Sequence, residues 1–152
     1  MSEAPFGFDT PEDSPGFLLW QTTVCWQRLI KKALEPYDVS HAQFVIIALL
    51  LWCHRQSQPV TQATIISLSK LDKMTVSAAL KKLVSLKLAT RKESEDDART
   101  KTVALTNAGV KLAHQLVPVV EAIDAQFFGK LSKKQQNEII ALMLKLAEEK
   151  ES

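Results

Sequence analysis

Val60-Thr61-Gln62-Ala63-Thr64-Ile65-Ile66-Ser67-Leu68-Ser69-Lys70-Leu71-Asp72-Lys73-Met74-Thr75-Val76-Ser77-Ala78-Ala79-Leu80-Lys81-Lys82-Leu83 is the stretch that decides the fold. Thr61 can act as an N-cap, its hydroxyl accepting a first-turn amide that has no partner inside the helix, and Ala63, Ile66 and Leu68 supply the apolar positions of a short helix. After the tight Ser69-Lys70-Leu71 link, Asp72 offers a second cap. In the helix that Asp72 opens, Val76, Leu80 and Leu83 recur at i, i+4 and i+7 and form one buried stripe. Lys73, Thr75, Ser77, Ala78, Lys81 and Ser85 are left mainly outward, a small, polar and basic face. Two short helices joined this way make a helix-turn-helix.

Downstream, 88–92 and 102–105 alternate or are β-branched, and the charged run 93–101 joins them, so a two-stranded ribbon, or wing, follows the second helix. Thr106 then caps a long helix carrying Val110, Leu112, Ala113, Leu116, Val117, Val120, Ile123 and Phe127, which Pro118 should bend or divide and Gly129 should end. Ser132 and Gln135 form a capping box ahead of a last helix striped with Ile139, Ile140, Leu142, Met143, Leu146 and Ala147. Upstream, Ser14-Pro15 starts a first helix that must stop before Pro36. Ser40 and Gln43 box a second helix, with Val39 and Phe44 as its hydrophobic staple. The body of that second helix, 44–53, is apolar on every face, as a helix enclosed by neighbours must be.

The expected fold is therefore mainly α: a winged helix-turn-helix over about 58–106, with helices at about 16–35 and 107–149 forming a dimerisation region and an acidic, flexible tail at 1–15. A chain of 152 residues, 46% apolar and 24% charged, is sized for one domain. The apolar run 44–53 is about half the roughly 20 residues of a bilayer-crossing helix, and the N-terminus lacks the basic and apolar regions of a secretory signal, which points to the cytoplasm and to no membrane partner. Cys25 and Cys53 are too few for a disulfide framework and suit a reducing compartment. No Ser/His/Asp signature, phosphate loop or closely spaced metal-ligand pair is present, so neither a catalytic site nor a cofactor nor a metal is expected.

Net charge is only +2, but it is unevenly placed. Residues 1–20 hold four acids and no base, whereas 60–105 hold nine bases against five acids. A polyanionic partner is the physical use of such a segment. The second helix of a helix-turn-helix enters the major groove of double-stranded DNA, and a ribbon can reach the neighbouring backbone or minor groove. Lys73, Lys81, Lys82, Arg91 and Lys101 supply charge to phosphates, Thr75 and Ser77 supply hydrogen bonds, and Ala78 can touch a thymine methyl. Arg99 suits the enhanced negative potential of a narrow minor groove, and Asp97 pairs with Arg99 or Lys101 to shape the wing.

The order of these elements resembles the MarR family of transcription regulators. Val60-Thr61-Gln62-Ala63 is similar to the family's helix opening, 71–77 to its recognition-helix start, and Asp97-Ala98-Arg99-Thr100-Lys101 through Leu105-Thr106-Asn107-Ala108-Gly109 to its wing signature. The resemblance covers roughly residues 16–149 and implies a homodimeric, ligand-responsive regulator, in most cases a repressor. Two positions depart from the pattern: Ala78 stands where arginine is frequent, and Lys87 where glycine precedes the first wing strand. Without that arginine the family's base preference does not transfer, and Lys87 strains the chain by roughly 1 kcal/mol if its backbone is left-handed.

Apolar stripes on the first and the last two helices exceed what one small winged domain can bury, which predicts a twofold dimer reading a palindromic operator with half-sites about one DNA turn apart. Trp20, Trp26, Tyr37, Phe44 and Trp52 are candidates to line a pocket for a small aromatic or phenolic effector, against the plainer reading that such side chains are core. Cys25 and Cys53 leave open a thiol-based redox-sensing regulator, although the thiol-sensing branch resembles this chain with its reactive cysteine near position 16, where Gly16 stands. His41, His54 and His114 lack the spacing of a helical metal site. The remaining alternative is a winged-helix protein-interaction module without DNA binding.

Overall fold

A computed structural model of the chain describes residues 5–56, 60–93 and 101–148. Among the described residues six α-helices and three short strands follow one another as α1 Pro15–Leu34, α2 His41–Arg55, β1 Val60–Thr61, α3 Gln62–Ser69, α4 Lys73–Ser85, β2 Ala89–Glu93, β3 Lys101–Leu105, α5 Asn107–Phe128 and α6 Lys133–Ala147. The starts are set by caps. Ser14, Ser40, Thr61, Asp72, Thr106 and Ser132 each accept the N3 amide of the helix that follows, and Gln43 and Gln135 return the bond to the cap amide. Pro36 falls in a short 3₁₀ turn, Glu35–Tyr37, beyond the end of α1.

The sheet is antiparallel in the order β1-β3-β2, with Val103 opposite both Val60 and Arg91. Strand β1 was not expected from the sequence. Two residues are too few to show a period, and Val60-Thr61 becomes a strand only because β3 is there to pair with it. Ala89, Val103, Leu105 and Val60 carry the sheet into a core completed by Ile30 and Leu34 of α1, by Phe44, Ile46, Ile47 and Leu50 of α2, by Val76, Leu80 and Leu83 of α4, and by Ala113, Leu116 and Val120 of α5. No polar or charged residue among those described is buried.

Three expectations need correction. In α3 the fully buried side chain is Ile65, while Ala63 and Leu68 are exposed and Ile66 is half-buried; the helix docks through the face that β3 and α4 define, which its short sequence does not encode. Helix α2 is not enclosed on every face, since Trp52 near its C-terminal end is largely exposed. Of the two outcomes expected at Pro118, division does not occur, since α5 runs unbroken past it. Gly129 ends α5 as expected, with right-handed dihedrals (φ −65°) rather than left-handed ones. Within the segment expected to be a flexible tail, Pro11–Asp13 forms a 3₁₀ turn in which the Asp13 carboxylate accepts from the Thr10 amide and hydroxyl.

The turn from α4 into β2 is a Schellman motif: the Lys87 amide donates to Val84 and the Leu88 amide to Leu83. This motif places Lys87 in the left-handed region, at φ 62°. A Cβ there crowds the following carbonyl, whereas glycine carries none. Lys87→Gly is therefore expected to stabilise the protein by about 1 kcal/mol, less the added entropy of the unfolded chain. Urea unfolding checks it: the midpoint rises without a change in slope.

Candidate nucleic-acid interface

Helix α4 is sharply two-sided. Val76, Ala79, Leu80 and Leu83 are buried, while Lys73, Met74, Ala78, Lys81, Lys82 and Ser85 are exposed and Thr75 and Ser77 half-buried. At 100° per residue, Met74, Ala78, Lys81 and Ser85 fall on one line directly opposite the buried stripe. Met74, 82% exposed, is the residue on this ridge that reading the sequence missed. Its spacing from Ala78 held the signal.

Asp72 fixes the start of the ridge. Its Oδ1 accepts from the Thr75 amide at 2.7 Å and its Oδ2 from the Thr75 hydroxyl at 2.9 Å. The hydroxyl proton of Thr75 is thus engaged, and outward Thr75 presents lone pairs rather than a donor. These hydrogen bonds hold the Asp72 carboxyl below the ordinary carboxylate range, the backbone amide of Thr75 contributing most. A depressed pKa means that the cap stabilises the fold above the ordinary carboxylate range and is lost only as pH falls through the lowered value. At neutral pH this end of α4 already holds an anion.

Strand β2 places Arg91 beside α3, where its Nη1 donates to Gln62 Oε1 at 3.4 Å, so a residue of the first helix orients a cation of the wing. Lys101 opens β3 and is exposed. Arg99 and Asp97 lie outside the described residues.

The five aromatic residues considered for an effector pocket are spread over the helical part. Trp26 donates its indole N–H to Asp124 Oδ1 of α5 at 2.8 Å and packs edge-on to His41 at 5.0 Å, tying together α1, α2 and α5. Burial pushes the pKa of His41 below its ordinary value, against the opposing pull of Asp124. Asp124 lies 98 residues from Trp26, a pairing no sequence pattern announces. Phe44 belongs to the core; Trp20, Tyr37 and Trp52 are exposed. Trp20 lines a hollow of about 540 Å³ with Cys25, Arg28, Phe127 and Lys130, and the other four are not gathered in it. Cys25 is exposed and Cys53 buried. Among the described residues no group of three or more His, Cys, Asp or Glu is placed to hold a metal ion, and no single helix is long and apolar enough to cross a membrane.

A helix-turn-helix with a basic, polar outer face, set between β1 and the antiparallel pair β2 and β3 of one three-stranded sheet, defines a winged-helix protein. The ArnR1-like winged-helix domain matches residues 35–122, more than half of the chain. The HTH-type transcriptional regulator YdcH of Bacillus subtilis is 36% identical over 128 residues, covering 84% of this chain and 87% of that protein. Among solved structures, Bordetella bronchiseptica BpsR superposes with a TM-score of 0.83 at 23% identity, covering 97% of this chain and 100% of that one. An Escherichia coli MarR variant complexed with operator DNA superposes with a TM-score of 0.78 at 22% identity, covering 93% and 100%. The chain belongs to the ArnR1-like winged-helix family and is an HTH-type transcriptional regulator rather than an enzyme, with the fold of MarR.

Proposed function

We propose that the protein is a homodimeric repressor that reads a palindromic operator and releases it when a small aromatic effector binds the helical framework. The sidedness of α4 carries the reading: four buried apolar residues fix its inner face, and the opposite ridge offers small, polar and cationic groups at the spacing of a major-groove helix. Lys73, Lys81, Lys82, Arg91, Arg99 and Lys101 meet phosphates or the minor groove, Ser77 and Ala78 meet base edges, and Asp97 shapes the wing. The Thr75 hydroxyl, engaged by Asp72, positions the helix start and accepts rather than donates.

The dimer follows from what α1 and α6 leave uncovered. Leu18, Leu19 and Trp20 on α1 and Ile140, Leu142, Met143, Leu144 and Leu146 on α6 are all exposed in the single chain. Large apolar side chains exposed in that number are ordinarily covered. Two copies joined through it present two α4 helices to successive major grooves. The effector reading rests on the Trp26, Asp124 and His41 junction, where a ligand pushing α1, α2 and α5 apart changes the distance between half-sites. BpsR is a relative in fold whose DNA binding is regulated by 6-hydroxynicotinic acid. The cytoplasm is the compartment we assign.

Selection of bound sites from a random double-stranded DNA pool, repeated at several salt concentrations, tests the reading. A palindrome is expected, with Lys81→Ala weakening all sequences evenly and lowering the slope of log affinity against log salt by about 1. Recovery of no enriched sequence together with salt-independent retention would sink it.

A further inference from the structure

Met74 is the most exposed of the large apolar residues on α3 and α4, and it stands where solvent exposure of a thioether has no structural use. It occupies the second position of α4, with Asp72 capping the helix behind it and Lys73 and Thr75 on either side. No core residue requires it, since the buried stripe of α4 is complete with Val76, Ala79, Leu80 and Leu83. One helical turn on, at i+4, stands Ala78, and beyond it on the same line Lys81. The ridge therefore begins with two adjoining apolar surfaces and continues into a cation.

In the major groove the apolar feature that distinguishes base pairs is the C5-methyl group of thymine. A flexible, polarisable thioether fills such a contact without demanding one fixed geometry, and the alanine methyl at Ala78 extends the same surface by one turn. At the start of the ridge there is no donor for guanine: neither Met74 nor Ala78 carries one, and the Thr75 hydroxyl proton is held by Asp72. We infer that Met74, continued by Ala78, is a specificity-determining residue that selects thymine in each operator half-site through its 5-methyl group. The inference rests on the DNA-reading role proposed above for α4 and names what that helix reads.

Deoxyuridine differs from thymidine by the 5-methyl group alone, which makes the experiment direct. A duplex selected by the wild-type protein is compared with the same duplex carrying deoxyuridine for the thymines of both half-sites, each titrated against wild type and Met74→Ala. Wild type is expected to bind the deoxyuridine duplex about fivefold more weakly for each methyl contacted. Met74→Ala is expected to bind the thymine duplex more weakly by a similar factor and to lose most of the difference between the two duplexes, the coupling that a double-mutant cycle measures. Because Met74 is exposed, the variant should keep the wild-type melting temperature and salt slope, so a lost fold and a lost base contact are told apart. Selected half-sites without thymine, wild-type binding indifferent to deoxyuridine, or an equal loss in wild type and Met74→Ala overturns the inference while leaving salt-dependent DNA binding intact. Absence of salt-dependent binding to any duplex overturns both this inference and the reading it rests on.

Discussion

Gly109→Ala is expected to lower stability by about 3 kcal/mol, roughly 10 °C in Tm for a chain of this size. The expectation runs against helix propensity. Replacing glycine by alanine inside a helix ordinarily gains about 1 kcal/mol, and Gly109 lies in the first turn of α5 with its amide donated to the Thr106 hydroxyl. Packing reverses the sign. A Cβ at Gly109 collides with the Leu88 carbonyl oxygen, and it stands 3.0 Å from the Leu88 carbonyl carbon and 3.1 Å from a Leu105 methyl. The leucine methyl can rotate away; the carbonyl cannot. The Leu88 oxygen accepts the Thr106 amide at 3.0 Å, the Leu88 amide donates to Leu83 at the end of α4, and the Thr106 hydroxyl donates to the Lys87 carbonyl at 2.7 Å. The backbone that would have to move is thus pinned to α4 on one side and to the α5 cap on the other. Thermal unfolding followed by circular dichroism decides the matter. A Tm at or above that of wild type would show that the α4–β2–α5 junction yields, and that glycine stands there for some reason other than close approach.

The same junction shows which parts of the structure were legible in the sequence. Each helix start is a local device: Ser14, Ser40, Thr61, Asp72, Thr106 and Ser132 act within three residues of themselves, so the order of side chains along the chain contains the whole interaction. The stripe of α4 was legible for the same reason, since period and burial agree there. What depends on partners was not. Ile65 is chosen over Ile66 by the position of β3 and α4, and β1 exists only through β3. Asp124 gains its role from Trp26 across α1 and α5. At Lys87 the residue type argued against a left-handed backbone and the Schellman geometry prevailed, because two hydrogen bonds and the start of the wing depend on it. Met74 is settled only by the finished core, which leaves nothing for it to fill.

Leu142→Glu combined with Leu146→Glu is expected to produce a folded monomer whose affinity for the selected palindrome is about a hundredfold or more below that of wild type. These leucines are 60% and 81% exposed and stand one turn apart on α6. Gln136, Ile139, Ile140 and Met143 line the groove that faces α5, so Leu142 and Leu146 form a ridge to one side of that contact. Helix α6 contributes no buried residue to the core, and substituting its outer ridge leaves the winged region unaltered. In a dimer closed through this ridge the same two positions are apolar contacts, and carboxylates there must either be desolvated or keep the subunits apart. Once apart, each copy binds one half-site without the effective concentration that links the two, and avidity of that origin is worth about a hundredfold to ten-thousandfold. Size-exclusion chromatography with light scattering gives the mass, and titration of a palindrome beside a single half-site duplex gives the two affinities. The half-site affinity should be unchanged while the palindrome loses its advantage. A variant that remains dimeric, or a monomer that holds the palindrome as tightly as wild type does, would place the subunit contact elsewhere or remove it from the mechanism of operator reading.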